Sequence, residues 1–379
     1  SSLDDDPGPG SQQVTFQLAA YDRSESLVVD PVLSFSTLTV DVSGAAPGIA
    51  VDHSGSVYLV GTTHSPTLPA TPGAFQATCE EHSSGYCSDV AFVAKLSSDG
   101  STLIYSTYLG SSSRGSGIAV DNQGRAYVTG VGIRGEFPTV APFQPCTDAG
   151  DIFVTKLSPD GSSLIYSTCL GNGGWGESIA VDFFGNAYVT GIAAPGFTTT
   201  ANAFQPTCPV FQSCGGFLAK LNSTGSGLIY STYILGANPR DLDVDSSGFA
   251  YLVGLGNRDM FSITSDALQP NCDASHNCSF VMKVNASGTG LEYSTFLGRT
   301  AQIAGIAVDT NGSAYITGTA VTNDIPASTD AFQTACKDGA IGPCGQGDAF
   351  VAKLTPDGGS LAYATYLGGI DVDEGIGIA

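Results

Sequence analysis

Apolar and polar positions alternate with a period of two along short runs of this chain, and clusters of Gly, Asp, Ser and Pro separate the runs. That period belongs to β-strands, and runs this short between turn formers predict hairpins rather than helices. Four runs recur as a set. The first is Gly-Ile-Ala-Val-Asp, as at 117–121. A turn of the form Asp-x-x-Gly leads to the second, Ala-Tyr-Val-Thr-Gly at 126–130. Asp and Gly at those places suit a tight turn with one residue at positive φ, so the two runs form a hairpin. A variable loop follows, usually ending in Ala-Phe-Gln (74–76, 203–205, 331–333). The third run is Ala-Phe-Val-Ala-Lys-Leu, at 91–96 and 349–354, and a turn such as Ser158-Pro159-Asp160-Gly161 precedes the fourth, Leu-Ile-Tyr-Ser-Thr-Tyr-Leu-Gly at 103–110.

The first hairpin is written five times, at 48–61, 117–130, 178–191, 241–254 and 305–318, with turn aspartates Asp52, Asp121, Asp182, Asp245 and Asp309. A repeat of this length that spans nearly the whole chain argues for one array of supersecondary units. Four antiparallel strands per unit predict an all-β fold, a β-propeller of four-stranded blades. The Gly- and Ala-rich first strand belongs innermost, where blades converge. The fourth strand, with Tyr105, Tyr166, Tyr230, Tyr293 and Tyr363 in register, belongs farther out, packing blade on blade. A solenoid is the alternative, although its repeats are normally shorter. The strings Tyr-Ser-Thr-Tyr-Leu-Gly, Gly-Ile-Ala-Val-Asp-x-x-Gly-x-Ala-Tyr-Val-Thr-Gly and Ala-Phe-Val-Ala-Lys-Leu resemble the bacterial SBBP β-propeller repeat, and the Ala-Val-Asp-x-x-Gly core is similar to the NHL type. The resemblance runs from Pro31 to the C-terminus. It implies a secreted or surface propeller and brings no catalytic residues with it.

The ends decide the number of blades. After the fifth hairpin come a sixth copy of the fourth run, Leu361 to Gly368, and of the first, Gly375 to Ala379. At the other end lie strand-like runs at 14–21 and 26–30 and a fourth-run copy at 32–38. Three strands from the N-terminus and one from the C-terminus make one more blade, so the expectation is six blades with a split closing blade. Residues 1–13 then form an acidic Pro/Gly-rich tail, and 14–379 a single propeller domain. The same arithmetic permits a second geometry, in which the N-terminal strands enter a neighbouring molecule and the chain polymerises head to tail. A chain continuing past Ala379, with more blades, is a third.

Composition and charge narrow the function. Forty-nine glycines and only 13 % charged residues fit tight β-turns. A formal charge of −22 excludes nucleic acid as a partner, since phosphate binding needs a basic surface, and permits cations such as Ca²⁺. No apolar run is long enough to span a membrane, and the start of the chain reads as one whose targeting segment has been removed. Ten cysteines are present. Eight fall in close pairs between the second and third runs: Cys79/Cys87, Cys208/Cys214, Cys272/Cys278 and Cys336/Cys344. Cys146 and Cys169 belong to the one repeat without a local pair. Five disulfides in an oxidising compartment is the reading, hence a secreted, extracellular or cell-surface protein. Zinc is the weaker reading, because CxxC spacing is absent and His53, His64, His82 and His276 do not accompany the pairs.

Candidate chemistry is sparse. Lys95, Lys156, Lys220, Lys283 and Lys353 occupy one position of the third run, so they are expected to pair with the turn aspartates and tie each blade together. One carboxylate per turn is too few for calcium. The better calcium candidates are Asp371, Asp373 and Glu374 together with Asp241 and Asp243. Sequons stand at Asn222, Asn285 and Asn311. Trp175, in Gly173-Gly-Trp-Gly-Glu177, suits stacking on a sugar or packing between blades. There is no Gly-x-Ser-x-Gly elbow, His-Glu-x-x-His or phosphate loop. The expected function is a non-enzymatic secreted module that is structural or mediates interactions, with itself or with other extracellular proteins, and that self-assembles into filaments through terminal strand exchange. No cofactor is expected. The alternatives are a carbohydrate-binding propeller and a propeller enzyme, such as a glycan lyase or hydrolase.

Overall fold

Each repeat folds into one antiparallel sheet whose strands lie in chain order. The computed structural model describes residues 48–379 apart from 81–84, 134–136, 147–149, 172, 210–213, 273–276, 300, 338–343 and 345–346. All of these belong to the unit formed by residues 37–379. The tail at 1–13 and the runs at 14–21, 26–30 and 32–38 lie outside the described residues.

Among the described residues there are twenty strands and no helix. Sheet one contains β1 (Gly48–Val51), β2 (Val57–Thr63), β3 (Val90–Leu96) and β4 (Leu103–Leu109). Sheet two contains β5 (Ser113–Val120), β6 (Ala126–Gly132), β7 (Asp151–Leu157) and β8 (Leu164–Cys169). In sheet three are β9 (Gly174–Val181), β10 (Ala187–Ala193), β11 (Gly216–Leu221) and β12 (Leu228–Ile234). Sheet four holds β13 (Ala237–Val244), β14 (Ala250–Asn257), β15 (Asn277–Val284) and β16 (Leu291–Phe296). Sheet five holds β17 (Gln302–Val308), β18 (Ala314–Ala320), β19 (Asp348–Leu354) and β20 (Leu361–Leu367). The fold is all-β, and its sheets have the four-stranded form expected of propeller blades.

The first hairpin of each sheet is built around its aspartate. In sheet one, Asp52 Oδ1 accepts hydrogen bonds from the N–H groups of Ser54 (3.0 Å) and Ser56 (2.9 Å), while Gly55 N–H donates to the Asp52 carbonyl at 2.8 Å. Asp121, Asp182, Asp245 and Asp309 accept the same two backbone bonds in their own turns. A carboxylate that satisfies two turn amides fixes the hairpin locally, before any packing.

Across the three outer strands the register sets a tyrosine, a lysine and a tyrosine directly opposite one another: Tyr58, Lys95 and Tyr105 in sheet one, and likewise Tyr188, Lys220 and Tyr230 in sheet three. The two rings meet edge to face, with centroids 6.4 Å apart in sheet one, and the ammonium lies 4.7 Å from the Tyr58 centroid. Both contacts suit the ring quadrupole. The apolar core lies between neighbouring sheets. Tyr58, Val60 and Val93 of sheet one pack with Ile118, Ala126 and Val128 of sheet two, and Tyr127 and Val154 of sheet two pack with Ile179 and Val189 of sheet three. Five disulfides, Cys79–Cys87, Cys146–Cys169, Cys208–Cys214, Cys272–Cys278 and Cys336–Cys344, staple the long loops, each within one sheet's own segment. They fit a protein that folds outside the cytoplasm.

The turn glycine is fixed by two demands at once. Gly124 has φ = +72°, and a Cβ there would sit 3.1 Å from the Tyr58 hydroxyl of the preceding sheet. Gly124→Ala is therefore expected to destabilise the protein by about 1–3 kcal/mol, measured by urea unfolding with the disulfides intact. An unchanged midpoint would show that the turn is not under this constraint.

Candidate interaction surface

Successive sheets are joined by one set of ties, always running from one sheet to the next. The Tyr58 hydroxyl lies 3.0 Å from Asp52 Oδ2 in its own turn and 3.1 Å from the Gly124 carbonyl in sheet two. Tyr127 reaches the Gly185 carbonyl at 3.3 Å, Tyr188 reaches Gly248 at 3.2 Å, and Tyr251 reaches Gly312 at 3.2 Å. Farther out, the rings of Tyr105, Tyr166, Tyr230 and Tyr293 lie under Gly161, Gly225, Gly288 and Gly358 of the following sheet, leaving no room for a Cβ. The Ala-Phe-Gln segments do the same with backbone: Phe75 N–H donates to the Gly161 carbonyl and Phe204 N–H to Gly288, both at 3.0 Å.

At sheet five these ties have no receiving sheet among the described residues. Tyr363 is 38 % exposed where Tyr105 is 1 %, and Phe332 is 86 % exposed although Phe75 and Phe204 are half-buried. At sheet one the opposite flank is less covered by the described residues. Ile49 is 67 % exposed, whereas its counterpart Ile118 is 8 %. The repeated letters are therefore the same at both ends of the array, and what differs is the neighbour.

The C-terminus occupies part of this gap. Gly176, on the inner strand of sheet three, packs against Thr129 and Gly130 of sheet two, and Gly375 packs in the same way against Thr317 and Gly318 of sheet five. Residues 375–379 thus lie beside the inner strand of sheet five, although no strand is assigned there. Six inner segments line an axial channel of about 760 Å³: β1, residues 116–120, 177–181 and 240–244, the β17 stretch around Ile306, and residues 376–379.

The structure distributes the candidate chemistry as follows. Lys95, Lys220 and Lys353 lie 3.5, 3.2 and 3.0 Å from Asp52, Asp182 and Asp309. Burial would raise the carboxyl of Asp52, but bonds from Ser54, Ser56 and Tyr58, with the nearby Lys95, outweigh it and hold the group down at about 2. In sheet two Arg125 takes Asp121, at 2.6 Å, and Lys156 lies over the Tyr127 ring and donates to the Ser223 carbonyl at 3.4 Å. Burial, reinforced by Arg125, lowers Lys156 to about 8. Lys283 lies over the Phe249 and Tyr251 rings.

Asp241 and Asp243 sit on β13, at inner-strand positions held by glycine, serine or alanine in other sheets. Their oxygens are taken by the next inner strand: Ile306 N–H donates to Asp241 at 3.0 Å and Val308 N–H to Asp243 at 2.8 Å. Ser178 of the preceding sheet donates to Asp241 at 2.8 Å. Asp241 and Asp243 clip three inner strands together, a role that the turn and repeat patterns do not signal. Asp373 accepts the Gly369 N–H at 2.7 Å in the C-terminal segment. Among the described residues, no group of three His, Cys, Asp or Glu side chains suited to a metal forms around these acids, Asp371 or Glu374. The sequon residues Asn222 and Asn285 each accept a backbone bond in the turn after the third strand, from Ser226 and Thr289, and Asn311 lies in the first turn of sheet five.

Residues 104–138 and 292–326 match the family model described as the SBBP beta-propeller repeat. These two segments are similar to the SBBP repeat. Each SBBP match begins in the last strand of one sheet and ends just beyond the first hairpin of the next, so the sequence repeat is offset from the sheet. No curated protein matches the chain. Similar solved structures include a protein of unknown function from Bacteroides caccae, with TM-score 0.43, 10 % identity and coverage of 86 % of this chain and 83 % of that one. A protein from Lactobacillus plantarum has TM-score 0.40, 14 % identity and coverage of 88 % and 86 %. The WD40 repeats of RRP9 have TM-score 0.42, 9 % identity and coverage of 88 % and 84 %. No residue role passes from these to this chain.

Two pH effects follow from the buried charges. Burial raises the Asp241 carboxyl to about 6, against the bonds from Ile306, Ser178 and Leu242. From the ordinary carboxylate range near pH 4 up to pH 6, the folded state keeps a proton that the unfolded chain has lost, so Asp241 makes stability fall as pH rises. Asp241→Asn is expected to remove that fall, read as the difference between parent and variant in urea midpoints at pH 4 and pH 6.5. Lys156 has the opposite sign. Between about pH 8 and its ordinary value of 10.5, the unfolded chain holds the extra proton and stability rises with pH. Lys156→Met should flatten the parent's rise between pH 8 and pH 10, and an identical slope would show that the ammonium is not desolvated.

Proposed function

We propose that this protein is a non-enzymatic structural and interaction module acting outside the cytoplasm, and that it self-associates into extracellular filaments by exchange of terminal strands. The observation that carries the reading is the pair of exposed flanks on either side of residues 375–379: Phe332 and Tyr363 on sheet five, and Ile49 on sheet one, each more exposed than its repeat counterparts. Three strands are needed beside the C-terminal segment to complete a sixth blade. The strand-like runs at 14–21, 26–30 and 32–38 supply that number. We assign them, from a second copy, to this gap. Strand addition suits the position, because the exposed edge of residues 375–379 offers backbone hydrogen bonds and the flanking sheets offer the exposed apolar side chains of Ile49, Phe332 and Tyr363.

The test uses the full-length chain. Sedimentation and electron microscopy across a range of concentrations are expected to show head-to-tail oligomers lengthening with concentration, and an excess of a synthetic peptide covering residues 11–40 should shorten them. Single rings that stay monomeric at every concentration would overturn strand exchange and leave a blade closed within one molecule.

A further inference from the structure

One mouth of the axial channel departs from the repeat. At the start of the inner strands, β5, β9 and β13 contribute Arg114, Trp175, Glu177 and Arg240; the repeat position of Glu177 and Arg240 is Ser116 in sheet two and Ala304 in sheet five, and that of Arg114 and Trp175 is Asn238 in sheet four and Gln302 in sheet five. With Thr62 and Ser116 they line a cavity of about 330 Å³ at the junction of four sheets. That volume is at the small end of the range for ligand pockets. Its walls are set in advance. The Trp175 indole N–H donates to Ser116 Oγ at 3.0 Å, and the Arg114 guanidinium stands over the indole ring at 5.7 Å. Arg114 is in turn held by Asp89, which also pairs with His64. A side chain fixed by its neighbours loses little freedom on binding.

The charges in this mouth are balanced. Asp89 neutralises Arg114. Burial raises the Glu177 carboxyl above its usual range, while Arg240 acts in the opposite direction to keep it charged. No cation is left over to draw in an anion, and the chain's charge of −22 repels one. A lone cation would face both arginines. What the cavity offers is a charged acceptor beside a charged donor, two hydroxyls and an aromatic wall. Neighbouring hydroxyls on a rigid ring satisfy that set, because each can donate to the carboxylate and accept from the guanidinium, with strong charge-assisted bonds on both sides. The C–H face of such a ring meets the indole as an apolar surface.

We propose that this mouth binds a neutral pyranose residue, with Glu177 accepting from and Arg240 donating to its hydroxyls and Trp175 forming the apolar wall. The site is independent of the open flank, since its residues come from sheets one to four. Trp175 is the only tryptophan in the chain, so its fluorescence reports this cavity alone. The full-length protein would be titrated with the methyl glycosides of glucose, galactose, mannose and N-acetylglucosamine, with glucuronate and inorganic phosphate as anionic probes. The expected result is a saturable change with at least one neutral glycoside, at an affinity on the order of 1 mM or tighter, weakened about tenfold or more in Glu177→Gln and in Arg240→Met at unchanged melting temperature. Silence from every neutral glycoside up to about 100 mM, or a response to glucuronate or phosphate alone, would overturn the proposal on the parent protein without recourse to the variants.

Discussion

The structure depends on a tyrosine hydroxyl that serves two sheets. Tyr58, Tyr127, Tyr188 and Tyr251 each meet the turn aspartate of their own hairpin and the turn carbonyl of the next. The hydroxyl is buried and its one proton lies between two acceptor oxygens, so losing both would leave a polar group without compensation. Its demands spread outward. The carbonyl it reaches belongs to a glycine at positive φ, the aspartate also holds two turn amides, and in sheets one, two and three a lysine or arginine stands beside that carboxylate. Asp, Gly, Tyr and Lys recur together because each is a condition on the others.

Much of this was legible in sequence. Period-two runs and Asp-x-x-Gly turns act over a few residues, so the hairpins could be read directly, and a lysine at one strand position in five units had to be structural. The failures have a common origin in contacts between units. Phe332 and Phe75 occupy the same motif, yet one is exposed and the other is not, since exposure depends on the neighbour rather than the local string. Arg125 replaces lysine as the partner of Asp121 from four residues away, which alignment of the third strands does not reveal. The acids Asp241 and Asp243 stand out in sequence, but it does not show that each takes a backbone amide more than sixty residues distant. Arg114, Trp175 and Arg240 become neighbours only when three inner strands converge on the axis.

The covalent links follow a different geometry from the polar ties. Every disulfide closes a loop within a single sheet's segment, so the crosslinks secure the periphery of individual units and do nothing to hold one unit to the next. Cohesion between sheets rests on packing, on the tyrosine ties and, between sheets four and five, on the two buried aspartates. In such an array, stability is close to a sum of unit and nearest-neighbour contributions, and the Asp241 junction is an interface whose strength varies with mild acidity.

The ties also have a direction. Tyrosine always reaches forward, and the glycine that receives it always lies ahead. Sheet five therefore ends in side chains that seek a receiver, including Tyr315 and Tyr363, while the Gly55 turn of sheet one has no tyrosine hydroxyl beside it among the described residues. The two ends are complementary and unlike. A two-fold symmetric dimer would bring like against like and leave every one of these groups unmatched, so contacts built from the same chemistry are heterologous, and the array carries a polarity that any assembly of it must inherit.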